Sequence, residues 1–197
     1  GARVSLAQLE TLAQEFVPEF SKILKVFGSP QIKNAGTLAG NIANASPIAD
    51  TIPFLFVMNA EIELTGLNGK RLVNINNFYK GYKVLDLKPD EIISTVFIPL
   101  PKPDEILKLY KVSKRKDLDI STFTAAFLMK QSAGKIEHIN IAYGGVGPVI
   151  LRLPQTEEFL KGKYFNEANL HLAGKLARKE ITPISDVRGT KDFRFQL

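Results

Sequence analysis

Between Gly36 and Asp50 the chain gathers residue types suited to holding a polar ligand. Gly36 and Gly40 stand four apart and let backbone approach a ligand closely, with N–H groups free to turn toward an anion. Thr37, Asn41, Asn44 and Ser46 add short hydrogen-bonding side chains. A diphosphate or a sugar suits such a lining. The same composition also suits an irregular, self-bonded turn, and composition alone does not separate the two. Other chemistries are easier to exclude. His138 and His171 are the only histidines, and neither has a second histidine at a metal-binding spacing. The absence of cysteine removes disulfides, a thiolate nucleophile, cysteine-ligated zinc and a cysteine-held iron–sulfur cluster from this segment. Neither a nucleophile elbow nor a Gly-x-x-x-x-Gly-Lys phosphate loop is present. Any activity therefore rests on a cofactor.

The elements around this segment can be read from periodicity. Ser5 followed by Gln8 forms a capping box, and Leu6, Leu9, Leu12, Ala13 and Phe16 then recur at helical spacing. Pro18 breaks that helix, and Phe20, Ile23, Leu24 and Phe27 continue a second helical face until Gly28-Ser29-Pro30. The stretch 31–50 is too rich in Gly, Asn and Ser for a helix interior and alternates too little for a strand, so it is expected to be short extended pieces joined by tight turns. After the apolar run 52–58, Glu61–Leu64 and Arg71–Ile75 flank turn chemistry at Asn68-Gly69, a hairpin. Glu91–Pro101 reads as a strand stopped by Pro101 and Pro103, where a domain boundary is expected. Strands at 106–113, 122–130 and 136–144, with Ser132-Ala133-Gly134 as a turn, suggest an antiparallel meander. Helices follow at Thr156–Leu160 and from Asn166, where Leu170, Ala173, Leu176 and Ala177 share a face. Strands followed by helices make the fold class α+β, with units at 1–102 and 103–197.

With 45% hydrophobic and 23% charged residues over 197 positions, the chain can bury a real core, and disorder does not fit. No apolar stretch approaches the roughly 20 residues of a membrane span. The net charge of +6 is spread among carboxylates, as in Lys114-Arg115-Lys116-Asp117-Leu118-Asp119, which reads as a solvated basic surface. Neither nucleic acid nor membrane is expected as a partner. The chain opens on Gly1 with no leader-like pattern, so it is expected to be trimmed.

Specific residues carry a resemblance. The stretch Ile32-Lys-Asn-Ala-Gly-Thr-Leu-Ala-Gly-Asn-Ile-Ala-Asn-Ala-Ser-Pro-Ile-Ala-Asp50 resembles the signature of the FAD-binding domain of molybdenum hydroxylases. Gly81-Tyr82-Lys83, Pro89-Asp-Glu-Ile-Ile93, Tyr110-Lys-Val-Ser-Lys-Arg-Lys-Asp-Leu-Asp-Ile120 and Ala142-Tyr-Gly-Gly-Val146 follow in the family's order, and Asp186-Val-Arg-Gly-Thr190 with Asp192-Phe-Arg194 resembles its closing motif. The Lys-Val-Ser-Lys-Arg-Lys-Asp-Leu-Asp-Ile-Ser stretch is more similar to the xanthine dehydrogenase type than to the carbon monoxide dehydrogenase branch. The resemblance implies the C-terminal portion of a two-subdomain FAD-binding domain, of the vanillyl-alcohol-oxidase/PCMH-like flavoprotein fold, followed by a small α+β domain with an antiparallel sheet and helices. It also implies a cytoplasmic oxidoreductase in which FAD receives electrons from iron–sulfur clusters and passes them to NAD or oxygen, the substrate being hydroxylated at a molybdenum cofactor. The iron–sulfur and molybdenum groups would sit on partner subunits or domains, within a larger oligomer. A non-catalytic assembly module, or a medium subunit like that of carbon monoxide dehydrogenase, is the alternative.

Residue by residue, the resemblance puts Thr37, Leu38, Ala39, Gly40 and Asn41 against the FAD phosphates and ribityl chain, with Asn44 in the same lining and Asp50 on a polar part of the cofactor. Phe27 and Ile93 match positions that pack on it, Lys111 matches a lysine near the flavin, and the loop 113–119 would cover the flavin face. Each has a rival reading: Asp50 as a cap of the next apolar segment, Phe27 and Ile93 as plain core, and Lys111 as a solvated charge. The chain departs from the family pattern at Ala39-Gly40, where two glycines are usual and a methyl group now stands. The family's earlier glycine-rich FAD loop would precede Gly1, so weak FAD binding, or none, by this chain alone is expected.

Overall fold

A computed structural model describes every residue from Gly1 to Leu197. The capping box at Ser5 and Gln8 forms as expected and starts α1 (Leu6–Phe16). Val17 closes that helix and opens α2 (Pro18–Phe27), whose first residue is the proline that a helix tolerates there.

The next segment corrects the expectation of extended pieces. It forms two short helices, α3 (Pro30–Ala35) and α4 (Leu38–Asn44). Ser29 and Thr37 cap them, each side-chain oxygen accepting a backbone N–H three residues on, so Gly28-Ser29-Pro30 starts a helix as well as ending one. Leu38, Ala39 and Ile42 bury one side of α4, and this packing outweighs the poor helix propensity of Gly and Asn. Ala45 ends α4 in the left-handed conformation at φ 50°. The apolar run becomes α5 (Ile52–Val57), a helix buried on all sides.

The hairpin is β1 (Glu61–Gly66) with β2 (Gly69–Asn74), in register from Glu61 opposite Asn74 to Gly66 opposite Gly69. A small ribbon of β3 (Tyr79–Gly81) and β4 (Val84–Leu85) follows. Strand β5 (Ile92–Phe97) pairs antiparallel with β1. It stops four residues short of the expected Pro101, because Pro99 has no N–H to give a ladder and disfavours helix at the residue before it. The meander forms as β6 (Glu105–Val112), β7 (Phe123–Ser132) and β8 (Lys135–Gly144), extended by β9 (Leu151–Arg152) in the order β6-β7-β8-β9. Helices α6 (Pro154–Leu160), α7 (Glu167–Glu180) and α8 (Lys191–Gln196) complete the chain.

The second sheet divides two cores. On β7, Ala126 and Leu128 face the larger core built on α1, α2, α4 and α5, while Phe123, Ala125 and Met129 face the smaller one under α6 and α7. This is the period-2 alternation of a strand buried on both faces. At the end of β8, Gly145 takes φ +83° and its N–H donates to the Pro47 carbonyl at 2.8 Å. A Cβ at Gly145 would stand 2.5 Å from the Thr122 carbonyl oxygen, so only glycine lets the chain before Asp50 dock on this sheet. No helix is long and apolar enough to cross a membrane.

Candidate functional site

The docking of 45–50 beside the sheet leaves a cleft of about 360 Å3 between the end of α2, the exposed side of α4 and the loop that joins β6 to β7. Phe27, Ile48 and Ile120 supply apolar walls, and Asn41, Asn44 and Ser46 supply amide and hydroxyl groups. Arg188 brings a guanidinium to the rim. Asp50 lies at the inner wall, buried, with Ser121 beside it.

Asp50 and Lys111 meet across 61 positions of sequence. The ammonium of Lys111 donates to Asp50 Oδ2 at 2.5 Å and to the Asp119 carbonyl at 2.9 Å, and Ser121 Oγ donates to Asp50 Oδ1 at 2.5 Å. The side chains of Asp50 and Lys111 are 6% and 5% exposed, so the pair is shielded from solvent. A carboxylate offers about four acceptor directions, and two are used here. The other two leave Asp50 able to accept from a ligand N–H or O–H in the cleft. Asp50 caps no helix: its oxygens go to Ser121 and Lys111, and the residue before α5 is Thr51. The Thr51 hydroxyl donates instead to Asn41 Oδ1 at 2.6 Å, which fixes that amide at the cleft wall.

The loop over the cleft braces itself. Asp119 accepts from the backbone N–H and guanidinium of Arg115 and from the Ile120 N–H. Those bonds, led by the one from the Arg115 side chain, hold its carboxyl below the usual aspartate range. The Lys114 ammonium ties the loop to the Val187 carbonyl at 2.7 Å. Arg188 is set by its own turn: Asp186 Oδ1 accepts the Arg188 and Gly189 N–H groups and a guanidinium N–H of the buried Arg194.

Of the residues singled out from sequence, Phe27, Asn41, Asn44, Ser46 and Asp50 line one cleft, and Lys111 stands directly behind Asp50. The others go elsewhere. Leu38, Ala39 and Ile93 are buried in the larger core, so the methyl of Ala39 packs inward. Thr37 caps α4 and its Oγ1 accepts the Gly40 N–H at 3.0 Å, which places both at the first turn of that helix, outside the cleft lining. Asn44 also accepts from the Lys83 ammonium through its carbonyl and its side chain. Leu118 and Asp119 bring the loop 113–119 to the wall, while Ser121 and Arg188 join it without having been singled out from sequence, although Arg188 falls within Asp186–Thr190. No group of three or more His, Asp or Glu residues is placed to hold a metal ion. The cleft thus offers flat apolar contact, amide hydrogen bonds, a carboxylate acceptor and one cation. It can bind and orient a ring-bearing anionic molecule.

Comparison with known proteins gives this geometry a context. Residues 1–101 match the model of the FAD binding domain in molybdopterin dehydrogenase, and residues 108–197 match that of the CO dehydrogenase flavoprotein C-terminal domain. A xanthine dehydrogenase of Blastobotrys adeninivorans is 38% identical over 83% of this chain, and xanthine dehydrogenase 1 of Arabidopsis thaliana is 33% identical over 96%. The chain spans only 13% and 15% of the length of those two relatives. Among solved structures, CO dehydrogenase from Oligotropha carboxidovorans superposes with a TM-score of 0.92 at 27% identity, and quinoline 2-oxidoreductase from Pseudomonas putida 86 with 0.88 at 28%. Each match covers 100% of this chain and 69% of the other. The chain belongs to the family of FAD-binding domains of the molybdopterin dehydrogenases, also called molybdenum hydroxylases.

Proposed function

We propose that this chain forms part of the FAD site of a xanthine dehydrogenase-type molybdenum hydroxylase and relays electrons there from iron–sulfur partners toward NAD or oxygen. The observation that carries the reading is Asp50: a buried, charge-paired carboxylate that faces a ring-sized cleft with half its acceptor directions open. FAD, when bound, supplies the chemistry of taking up and releasing a pair of electrons. The residues of this chain hold and orient it. Phe27, Ile48 and Ile120 pack on flat rings, Asn41 and Asn44 hydrogen-bond polar edges, and Arg188 favours an anionic group. Lys111 pairs with Asp50 and holds it in place, so its own charge is largely offset at the cleft. A cleft of about 360 Å3 takes one portion of a dinucleotide.

The xanthine dehydrogenase type is favoured over the carbon monoxide type by 38% and 33% identity against 27%. The molybdenum and iron–sulfur groups belong to other chains or domains, and the two units of this chain divide near residue 102. Titration of the chain with FAD, followed by quenching of flavin fluorescence, tests the reading. Saturable quenching is expected, weakened about tenfold or more when Ile120→Asp puts a charge on the apolar wall. Quenching indifferent to Ile120→Asp, or absent also when the chain is extended upstream of Gly1, would overturn it.

A further inference from the structure

A second cavity lies between α7, α8 and the face of the β7–β8 pair that bears Phe123 and Tyr143, and encloses about 330 Å3. That volume falls within the roughly 300–1,000 Å3 of small-molecule sites. Its floor is aromatic: the rings of Phe123 and Tyr143 meet edge to face with centroids 5.1 Å apart, and Phe195 lines the same space. The Tyr143 hydroxyl bonds to no group of the protein, and burial alone pushes its pKa up to about 12, so it remains a neutral O–H donor.

The ionisable side chains at the rim are all basic. His171, Lys175 and Arg178 recur at helical spacing along α7 and line the cavity, while no Asp or Glu side chain does. Arg194 is already spent on the Thr122 and Ile184 carbonyls and on Asp186, which leaves Lys175 and Arg178 as the cations open to a ligand. Beside them on the same face of α7, one residue before Lys175, stands Gly174, where a Cβ would meet no atom within 4 Å. Glycine is the poorest residue for a helix interior after proline. Here its lack of a side chain keeps the cavity open.

We propose that this cavity binds a small aromatic monoanion, its ring on Phe123 and Tyr143 and its acid group between Lys175 and Arg178. The Tyr143 hydroxyl donates a hydrogen bond to the anion, and the ring gains the edge-to-face contacts that aromatic pairs favour. The site is separate from the cleft at Asp50, since the two share no lining residue.

Anilinonaphthalene sulfonate, an aromatic monoanion that fluoresces when it leaves water, is the probe. The chain is titrated with it, then with benzoate as competitor and benzylamine as the cationic control. Saturable fluorescence displaced by benzoate and not by benzylamine is expected. Gly174→Phe, whose Cβ has open space and whose ring would occupy the cavity, abolishes it. Arg178→Glu weakens it about tenfold or more, as loss of one charge-assisted hydrogen bond requires, whereas Lys179→Glu on the same helix changes it less than twofold. The proposal is overturned if fluorescence survives Gly174→Phe, which would place the dye on the apolar groove of Leu12, Phe16 and Leu100, or if Lys179→Glu matches Arg178→Glu. Circular dichroism of each variant confirms that it is folded.

Discussion

Two polar clasps hold opposite ends of α5 and differ in how completely they are filled. Before its first turn, Asp50 bonds Lys111 and Ser121, and at its last turn Arg152 reaches the Phe56 carbonyl. A carboxylate at the N-terminal end and a guanidinium at the C-terminal end both complement the helix dipole. Both clasps join the first half of the chain to the second. All five N–H donors of Arg152 are used: on Glu157 twice, and on the Phe56 carbonyl, Asn59 Oδ1 and Asn140 Oδ1 once each. Asn140 in turn donates to the Val57 carbonyl at 2.6 Å. Nothing is left at Arg152 for a ligand. Asp50 has two acceptor directions unfilled and faces a cleft. A saturated clasp joins halves, and an unsaturated one at a cavity can also recognise.

The largest effect is expected where the saturated clasp is removed. Arg152→Ala removes five hydrogen bonds at once and leaves the largely shielded Glu157 carboxylate with the Ile141 N–H alone, which should lower stability by about 3–5 kcal/mol, the range for breaking a shielded charge pair from one side. Urea unfolding measures the loss. FAD binding by the fraction still folded should be unchanged, because the cleft lies at the other end of α5. Lost affinity with intact folding would erase the distinction between the two clasps.

Asp50→Asn comes next, at about 3 kcal/mol, because it leaves the Lys111 ammonium buried without a counter-charge. The sharper measurement uses the pair. Adding Lys111→Met to Asp50→Asn replaces two buried charges by groups of similar shape and should restore most of the stability. FAD quenching should stay weak in that double variant. Stability and flavin affinity that return together would reduce Asp50 to a second Arg152, a joint without recognition.

Legibility from sequence follows the range of the interactions. The capping box at Ser5, the break at Pro18 and the turns at Asn68-Gly69 and Ser132–Gly134 act within a few residues, and all were readable. Helices α3 and α4 were not, because six- and seven-residue helices exist through caps and through burial of Leu38 and Ile42 against distant elements. The strand ends at Phe97, ahead of the expected Pro101, because Pro99 is itself a local stop. In the cleft, Asp50 and Lys111 were reached only by family resemblance, since nothing in spacing brings positions 61 apart together. Ser121 and Arg188 depend on the turn of a loop and the fold of the last segment, which periodicity does not describe.

The smallest expected effect concerns the turn that presents Arg188. Burial would raise the Asp186 carboxyl, but the bond from Arg194 and the N–H groups of Arg188 and Gly189 outweigh it and hold its pKa below the ordinary 3.8. A depressed carboxylate contributes stability that is present above the unfolded value and is lost as pH falls through the folded one. Native chain and Asp186→Asn should therefore differ in urea midpoint by a constant amount above pH 3.8, and the gap should narrow only below that pH. Because Asp186 is partly exposed, its loss weighs less on the fold than that of Arg152 or Asp50. It should loosen Arg188 and weaken FAD quenching modestly at neutral pH. A gap that narrows as pH rises instead would mean that Asp186 does not carry this turn as a carboxylate, and that Arg188 is held by backbone alone.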